Sequence, residues 1–304
     1  MRILVTGATG FVGRWLLEEL RANGHEAVAS PGSHEVEITD FSQVTTLVRR
    51  VHPDAIAHLA GVAFAGDAAR EPARALEVNA DGTRTVVSVA GAAGGIPVLV
   101  SGSAEVYGYP DPGDLPLRES APLRGNRPYA ISKVAQERLA LEVGRNNGVP
   151  LVVTRSFNQI GPGQRPEFVA PAMARRLIRA KAEGNPSISV GNLDVRRDFT
   201  DVRDVVRAYR LLIERIAGGT IRTQVVNVGS GMAIAVRELL ERLGQIVGIT
   251  PDPVIDPALV RAGEPELIVG DTTRLRDLTG WTPEIPLALT LQDLVRSIEE
   301  GESS

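Results

Sequence analysis

Three glycines spaced three residues apart, Gly7, Gly10 and Gly13, stand between a short apolar run at 3–6 and an apolar pattern of helical period at 11–22. A strand that passes through so tight a turn into a helix leaves little choice of architecture. Glycine tolerates the turn, lets the backbone approach a ligand closely, and at the third position lets helix and strand pack together. The helix amino terminus adds unpaired amide donors and the positive end of its dipole. Thr6-Gly7-Ala8-Thr9-Gly10-Phe11-Val12-Gly13 therefore reads as a cradle for a pyrophosphate. Asn23-Gly24 is a fitting stop for the helix.

Up to residue 160 the chain keeps alternating, with apolar runs at 26–29, 55–59, 98–101 and 151–155 separated by stretches of helical period. Alternation of this kind builds a parallel sheet covered by helices on both faces. The expected fold is α/β, a Rossmann-type doubly wound parallel sheet with a smaller mixed α/β lobe. Beyond Gly161, proline-rich connections join helices at 168–183, 202–217 and 236–247, with a strand at 225–228 between the last two. The expected division gives 1–165, with about 195–228, to the dinucleotide-binding domain, and about 166–194 with 229–304 to the second lobe. The uncharged part of the chain from 85 to 104 is broken by Gly91, Gly94, Gly95 and Pro97, so it reads as a helix end and a strand, not a membrane span.

A net charge of −4 argues against a bulk nucleic-acid or membrane-surface binder. Cysteine is absent, which removes disulfides, thiolate nucleophiles and cysteine metal sites together. No pair among His25, His34, His52 and His58 has helical ligand spacing with an interposed acid, so no metal is expected. Met1-Arg2 leads straight into the first strand without an apolar leader, and the expectation is a cytoplasmic protein.

Lysine is nearly missing: of 33 basic residues only Lys133 and Lys181 are lysine. Lys133 follows Tyr129 by four in Tyr129-Ala130-Ile131-Ser132-Lys133, a spacing that sets both on one helix face. An ammonium is a compact point charge that fits under a tyrosine and beside a ribose, where arginine brings a larger planar fork. Such a charge is expected to lower the phenol below its reference value of about 10. A surface pair packed at helical spacing is the plain alternative.

The glycines fall as G-x-x-G-x-x-G. With Glu37-Ile38-Thr39-Asp40, His58-Leu59-Ala60-Gly61, Asn79-Ala80-Asp81-Gly82-Thr83 and the Tyr129/Lys133 pair, the chain resembles the extended short-chain dehydrogenase/reductase superfamily. The resemblance implies a nicotinamide dinucleotide held by Gly7, Thr9, Gly10, Phe11, Val12, Gly13, Glu37, Ile38, Leu59, Ala60, Gly61, Asn79 and Phe157, with Tyr129 and Lys133. It adds Ser103, in Ser103-Ala104-Glu105-Val106-Tyr107-Gly108, to the catalytic group. In such enzymes the nicotinamide delivers hydride to a carbonyl carbon, the tyrosine gives a proton to the oxygen, the serine bonds that oxygen, and the lysine helps by charge. Glu105 stands where sugar-nucleotide dehydratases of the superfamily carry the base that removes a proton beside the keto group; a substrate hydroxyl acceptor is the other role open to it. The strand at 26–29 ends Val28-Ala29-Ser30, without an acid for the ribose 2′-hydroxyl of NAD, and Arg14 stands near the loop as a candidate for a 2′-phosphate. The cofactor expected is NADPH or NADH, NADPH first.

Arg155-Ser156-Phe157-Asn158-Gln159-Ile160-Gly161-Pro162-Gly163-Gln164 and the segment 190–202 are similar to parts of nucleotide-sugar enzymes. With Asn227-Val228-Gly229-Ser230-Gly231, Arg261 and Gly280-Trp281, the chain resembles GDP-6-deoxy-4-keto-D-mannose reductases over nearly its whole length. This implies a GDP-sugar substrate, reduced at C4 to GDP-D-rhamnose and held by Asn158, Val169, Val190, Arg197, Arg261 and Glu264 beside Ser103, Glu105 and Tyr129. Asn158, Arg197 and Arg261 would meet the diphosphate, and Glu264 the ribose. An ion pair with Asp198 or Asp201 is the alternative for Arg197, and a solvated surface position for Arg261. Related dehydratases usually show a tryptophan after the Arg-Asp pair, where this chain has Phe199. The alternative activities are a 4-epimerase or 4,6-dehydratase with tightly held NAD, or a nucleotide-sensing binding protein without chemistry. The resemblance also implies a homodimer formed through helices near 83–93 and 129–146.

Overall fold

The computed structural model describes residues 1–260 and 263–302, the last of them by its backbone alone. Strands β1 (Arg2–Thr6), β2 (Glu26–Ala29), β3 (Ala55–His58), β4 (Val98–Ser101), β5 (Leu151–Ser156) and β9 (Gln224–Val228) form a six-stranded sheet, parallel throughout, in the order β2-β1-β3-β4-β5-β9. The inner strands have no solvent face because helices cover both sides of a parallel sheet; Ile3, Val5, Ile56, Leu99, Val152 and Val226 are fully buried.

One face carries α1 (Phe11–Ala22), α8 (Val202–Ala217) and α10 (Thr273–Thr279), packed around Leu16, Leu20, Tyr209, Leu212 and Leu275. The other carries α2 (Phe41–Val51), α5 (Gly82–Ala92) and α6 (Pro128–Asn146), packed around Leu47, Val48, Val86, Val87 and Ala140. Two short helices, α3 (Ala65–Arg70) and α4 (Pro72–Leu76), precede α5, and α4 runs into α5 through a π-helical turn, Glu77–Asp81.

Three more helices, α7 (Val169–Glu183), α9 (Val236–Val247) and α11 (Leu287–Glu302), enclose a separate core of Met173, Leu177, Ile188, Phe199, Leu239, Leu243, Leu291 and Leu294. Around it lie β6 (Asn158–Ile160), β7 (Ser187–Val190), β8 (Arg196–Asp201), β10 (Ala233–Ala235), β11 (Asp252–Ile255) and β12 (Leu267–Ile268). β8 takes β10 antiparallel and β6 and β12 parallel, while β7 pairs with β11. These strands are not among those expected from the sequence; β6, β10 and β12, of two or three residues, are too short to display a period of two. Of the segment 195–228, α8 and β9 join the large sheet, whereas β8 pairs outside it. The strand expected at 55–59 stops at His58, and the helix expected at 168–183 begins at Val169 because Phe168 is extended.

The carboxyl-terminal part is fastened to α8 by buried bonds. Trp281 Nε1 donates to the Asp204 carbonyl at 2.9 Å, and the Asp204 carboxylate accepts the amides of Glu284 and Ile285 at 3.0 and 2.8 Å. Among the described residues no helix is long and apolar enough to cross a membrane.

The third glycine of the opening turn is fixed by sterics. A Cβ at Gly13 would collide with the Gly7 carbonyl oxygen and lie 2.7 Å from Ala8 Cα, and neither neighbour is a side chain that can swing away. Overpacking of this kind costs about 1–3 kcal/mol, so Gly13→Ala is expected to lose about 3 kcal/mol in urea denaturation. Gly148→Ala, at φ +65 with nothing within 4 Å, is expected to lose about 1 kcal/mol for its left-handed backbone alone. Equal losses would show that the Gly13 contact does not govern the turn.

Candidate active site

Gly7, at φ +68, turns the chain out of β1 with its Cα pressed on the exit of β3; a Cβ there would sit 2.6 Å from the Ala60 amide nitrogen. Strand order reverses at β1, and such a switch point opens a crevice at the carboxyl ends of the strands. Gly10 caps α1 without a side-chain hydrogen bond, and the first turn of α1 carries no acid. Its amide donors are thus left for an anion. Thr9 and Gly10 are exposed, Phe11, Val12, Leu59 and Ala60 are half-buried, Gly13 is buried, and Gly61 is exposed. These residues fit the pyrophosphate of a dinucleotide.

Beyond β2, Ile38 is buried beneath Gly82, and Glu37 accepts from Arg74 Nη2 at 2.8 Å. The buried Ser30 hydroxyl donates to the Pro31 carbonyl at 3.1 Å. Arg14 is engaged with the loop after β6, its Nη2 donating to the Gly163 carbonyl at 3.4 Å.

The Ser103 hydroxyl accepts the Glu105 amide at 3.1 Å and caps the short 3-10 turn Ala104–Tyr107. Pro128 opens α6, setting Tyr129 in its first turn and Lys133 one turn on; the ammonium lies 5.9 Å from the Tyr129 ring centre. All four expected catalytic residues come together: the Ser103 hydroxyl acts on the Tyr129 phenol, and the charge of the exposed Glu105 reaches it. Lys133 is 6% exposed and donates to the Ser101 carbonyl at 3.1 Å, and burial pulls its ammonium down to about 8. The phenol departs from expectation. Burial pushes Tyr129 up, the Ser103 bond offsets part of this, and the Glu105 carboxylate adds to the rise, so the group sits above its ordinary value. Desolvation outweighs the help expected from Lys133. Tyr129 is consequently protonated at neutral pH, the form that gives a proton.

Behind this group lies a buried clamp that the sequence reading passed over. Arg155 in β5 donates from Nε and Nη2 to both oxygens of Glu137 in α6, at 2.8 and 2.6 Å, with both side chains 5% exposed. Its Nη1 donates to the Tyr107 hydroxyl at 3.0 Å and the Glu119 carbonyl at 2.9 Å, and the Tyr107 hydroxyl donates to Asn227 Oδ1 at 2.6 Å. Glu137 stands four residues beyond Lys133, which was the available signal; nothing in the sequence pointed to its partner.

Two residues expected to meet the cofactor also have partners within the protein. The Asn79 carboxamide accepts the Val62 amide at 2.8 Å and donates to the Val62 carbonyl at 3.1 Å and the Ser132 hydroxyl at 2.9 Å. It shapes the chain beyond Gly61 and steadies α6, its side chain already engaged. The Phe157 ring stacks on Tyr107, centroids 6.3 Å apart, and fills the space beside Gly229 and Gly270. It supports the site from within the core.

On the second lobe, Asn158 is exposed and donates from Nδ2 to the Asp198 carbonyl at 3.1 Å. Val169 opens α7 and is exposed, whereas the Val190 side chain belongs to the lobe's core and its carbonyl accepts the Asp256 amide at 2.8 Å. Arg197 and Glu264 meet, Nη2 to Oε1 at 2.8 Å. The ion pair weighed for Arg197 thus forms with this acid; the Asp198 carboxylate accepts the Ser230 amide and hydroxyl at 2.8 and 2.6 Å, and Asp201 caps α8. Arg261 lies outside the described residues. Among the described residues no three His, Asp or Glu side chains gather as a metal site.

Removing one partner of a buried ion pair costs about 3–5 kcal/mol, while replacing both with apolar residues is often neutral. Arg155→Met is expected to lose about 3 kcal/mol in urea denaturation, and the double variant Glu137→Leu/Arg155→Met to recover most of it. A double variant no better than the single would argue against the clamp.

Residues 3–229 match the model of the NAD dependent epimerase/dehydratase family. GDP-6-deoxy-D-mannose reductase of Pseudomonas aeruginosa is 37% identical over 301 residues, spanning 98% of this chain and 97% of that one. The solved structure of RMD from Pseudomonas aeruginosa complexed with NADPH superposes with a TM-score of 0.88 at 35% identity, covering 99% of both chains. Thermus thermophilus UDP-glucose 4-epimerase in complex with NAD superposes with a TM-score of 0.85 at 25% identity, covering 98% of this chain and 99% of that one. The family match runs from β1 through β9 and takes in the glycine cradle, Ser103, Tyr129 and Lys133 together, which makes this chain a member of the NAD dependent epimerase/dehydratase family, within the extended short-chain dehydrogenases/reductases.

Proposed function

We propose that the protein reduces the C4 ketone of GDP-6-deoxy-4-keto-D-mannose to GDP-D-rhamnose with NADPH or NADH, as a cytoplasmic homodimer. The observation that carries this reading is the meeting of Tyr129 with Ser103 and, one helical turn away, the buried Lys133 ammonium, beside a cradle built for a dinucleotide. The nicotinamide, when bound, supplies the hydride for the carbonyl carbon. Tyr129 holds the proton that the carbonyl oxygen takes up, Ser103 bonds that oxygen, and Lys133 keeps positive charge near the phenol as its proton leaves. Glu105 accepts a hydroxyl of the sugar.

Asn158 and Arg197, with Arg261, take the diphosphate, and Glu264 the ribose. Arginine suits this task through its bidentate donors. Backbone near Val169 and Val190 takes the base. Residues 166–194 and 229–304 hold the sugar nucleotide, and 1–165 with 195–228 the dinucleotide. A strand end at Ser30 without an acid supports NADPH, as does the cofactor named with the Pseudomonas structure. Exposed Ile131 on α6 and Leu76 on α4 support the dimer. A second reading, a 4-epimerase or 4,6-dehydratase, draws support from the epimerase among the structural neighbours. An enzyme of that kind retains its nicotinamide through purification.

With enzymatically generated GDP-6-deoxy-4-keto-D-mannose, nicotinamide absorbance is expected to fall, faster with NADPH than with NADH, as a GDP-6-deoxyhexose forms. Absence of oxidation, with nicotinamide released from the purified protein on unfolding, would favour the second reading. Tyr129→Phe is expected to lower turnover by about 10³-fold with NADPH affinity close to unchanged; full turnover in this variant would remove Tyr129 as the proton donor. Because the Lys133 charge is lost above about 8 while Tyr129 stays protonated, reduction should be level near neutrality and decline as pH rises through about 8. A profile still level at high pH would sever turnover from the Lys133 charge.

A further inference from the structure

Lys133 heads a buried chain of hydrogen bonds to which the assignments above give no role. Its Nζ donates to Gln136 Oε1 at 2.9 Å, and Gln136 Nε2 donates to Thr83 Oγ1 at 2.9 Å. Thr83 Oγ1 is 2.9 Å from His58 Nε2, His58 Nδ1 is 2.8 Å from Thr6 Oγ1, and Thr6 Oγ1 accepts the Ala60 amide at 3.2 Å. Thr6, His58, Thr83, Gln136 and Lys133 are all buried. The chain therefore runs from the ammonium to the residue before Gly7 and to the backbone of the cradle wall.

Its directions are set by what each group can do. An ammonium has donors only, so Gln136 must turn Oε1 toward it and its amide nitrogen toward Thr83. Burial and the Lys133 charge hold His58 down to about 3, so its ring is neutral, with one donor and one acceptor to join Thr83 to Thr6. The titratable groups facing the ammonium are Tyr129 on its own helix and His58 from β3; Tyr209 from α8 acts on Tyr129, its hydroxyl 3.1 Å from Ser101 Oγ. Among the described residues no carboxylate bonds Nζ, and the side-chain acceptor it has is a neutral amide. Gly61 borders the ammonium on the crevice side: a Cβ there would lie 3.9 Å from Nζ and 2.6 Å from Asn79 Oδ1.

We propose that Gln136 is a positioning residue for the reaction: braced through Thr83 and His58 against the cradle, its amide aims the Lys133 ammonium at the opening beside Gly61, and its neutrality sets how firmly that ammonium keeps its proton. A carboxylate at this position would hold the proton more firmly, and an apolar side chain less so. The link to turnover rests on the reductase reading, but the effect on Lys133 does not.

A chain with two lysines allows the group to be watched directly. Protein labelled with ε-¹³C-lysine should give two resonances, with Lys181→Arg identifying the other, and the Lys133 signal is titrated in the full chain. Gln136→Glu is expected to raise its midpoint by about one unit or more, and Gln136→Met to lower it. Circular dichroism checks folding, and the near-isosteric glutamate variant decides the matter alone if the methionine variant does not fold. The alkaline decline of NADPH oxidation should move with the resonance in each variant. A Lys133 midpoint unmoved by Gln136→Glu would overturn the proposal, as would a moved midpoint with an unmoved decline in an active enzyme. Wild-type protein inert toward NADPH and the ketone would instead count against the reductase reading, while the resonance still judges Gln136.

Discussion

The closeness of two strand exits is the constraint on which this molecule depends. β1 and β3 lie side by side with Thr6 opposite His58, and their exits draw so near at Gly7 and Ala60 that no side chain fits between them. One contact thereby does three things. It opens the crevice above the strand ends, it aims α1 so that its uncapped amides face that crevice, and it seats Thr6 within hydrogen-bond distance of His58. The cradle and the polar layer beneath α6 are consequences of a single packing decision.

That polar layer explains α6. Its buried residues include Ser132, Lys133, Gln136 and Glu137 as well as alanines, an unusual face to turn inward. Burial of such groups is tolerable only when each finds a partner, and the partners come from separate elements: Asn79 in the π-helical turn, Thr83 in α5 and Arg155 in β5. A helix held by apolar contacts alone can slide or rotate by small amounts at little cost. One held at successive positions by directed bonds to different elements cannot, and Tyr129 and Lys133 ride on it.

How much of this was legible in the sequence depended on whether the signal was local. The cradle, the alternating layers and the Tyr129/Lys133 pair were readable because glycine spacing, strand runs and a four-residue helical offset are local patterns. The strands around β8 were not, since two or three residues cannot show a period. The bonds of Asn79 and the stacking of Phe157 were not legible for a related reason: a motif tells which residues gather near a site but not which partners each side chain takes within the fold. The rise at Tyr129 is a burial effect, and burial is a property of the packed molecule. The meeting of Arg197 with Glu264 joins residues far apart in the chain, and both had been singled out without any sign that they touch.

Warming acts on the Arg155–Glu137 clamp differently from the way it acts on the surrounding core. The cost of drying a pair of charges falls with temperature, because the hydration of ions becomes less favourable, whereas hydrophobic stabilisation per unit area levels off. The helix that carries Tyr129 is thus fastened to the sheet by an interaction whose opposing cost shrinks on heating.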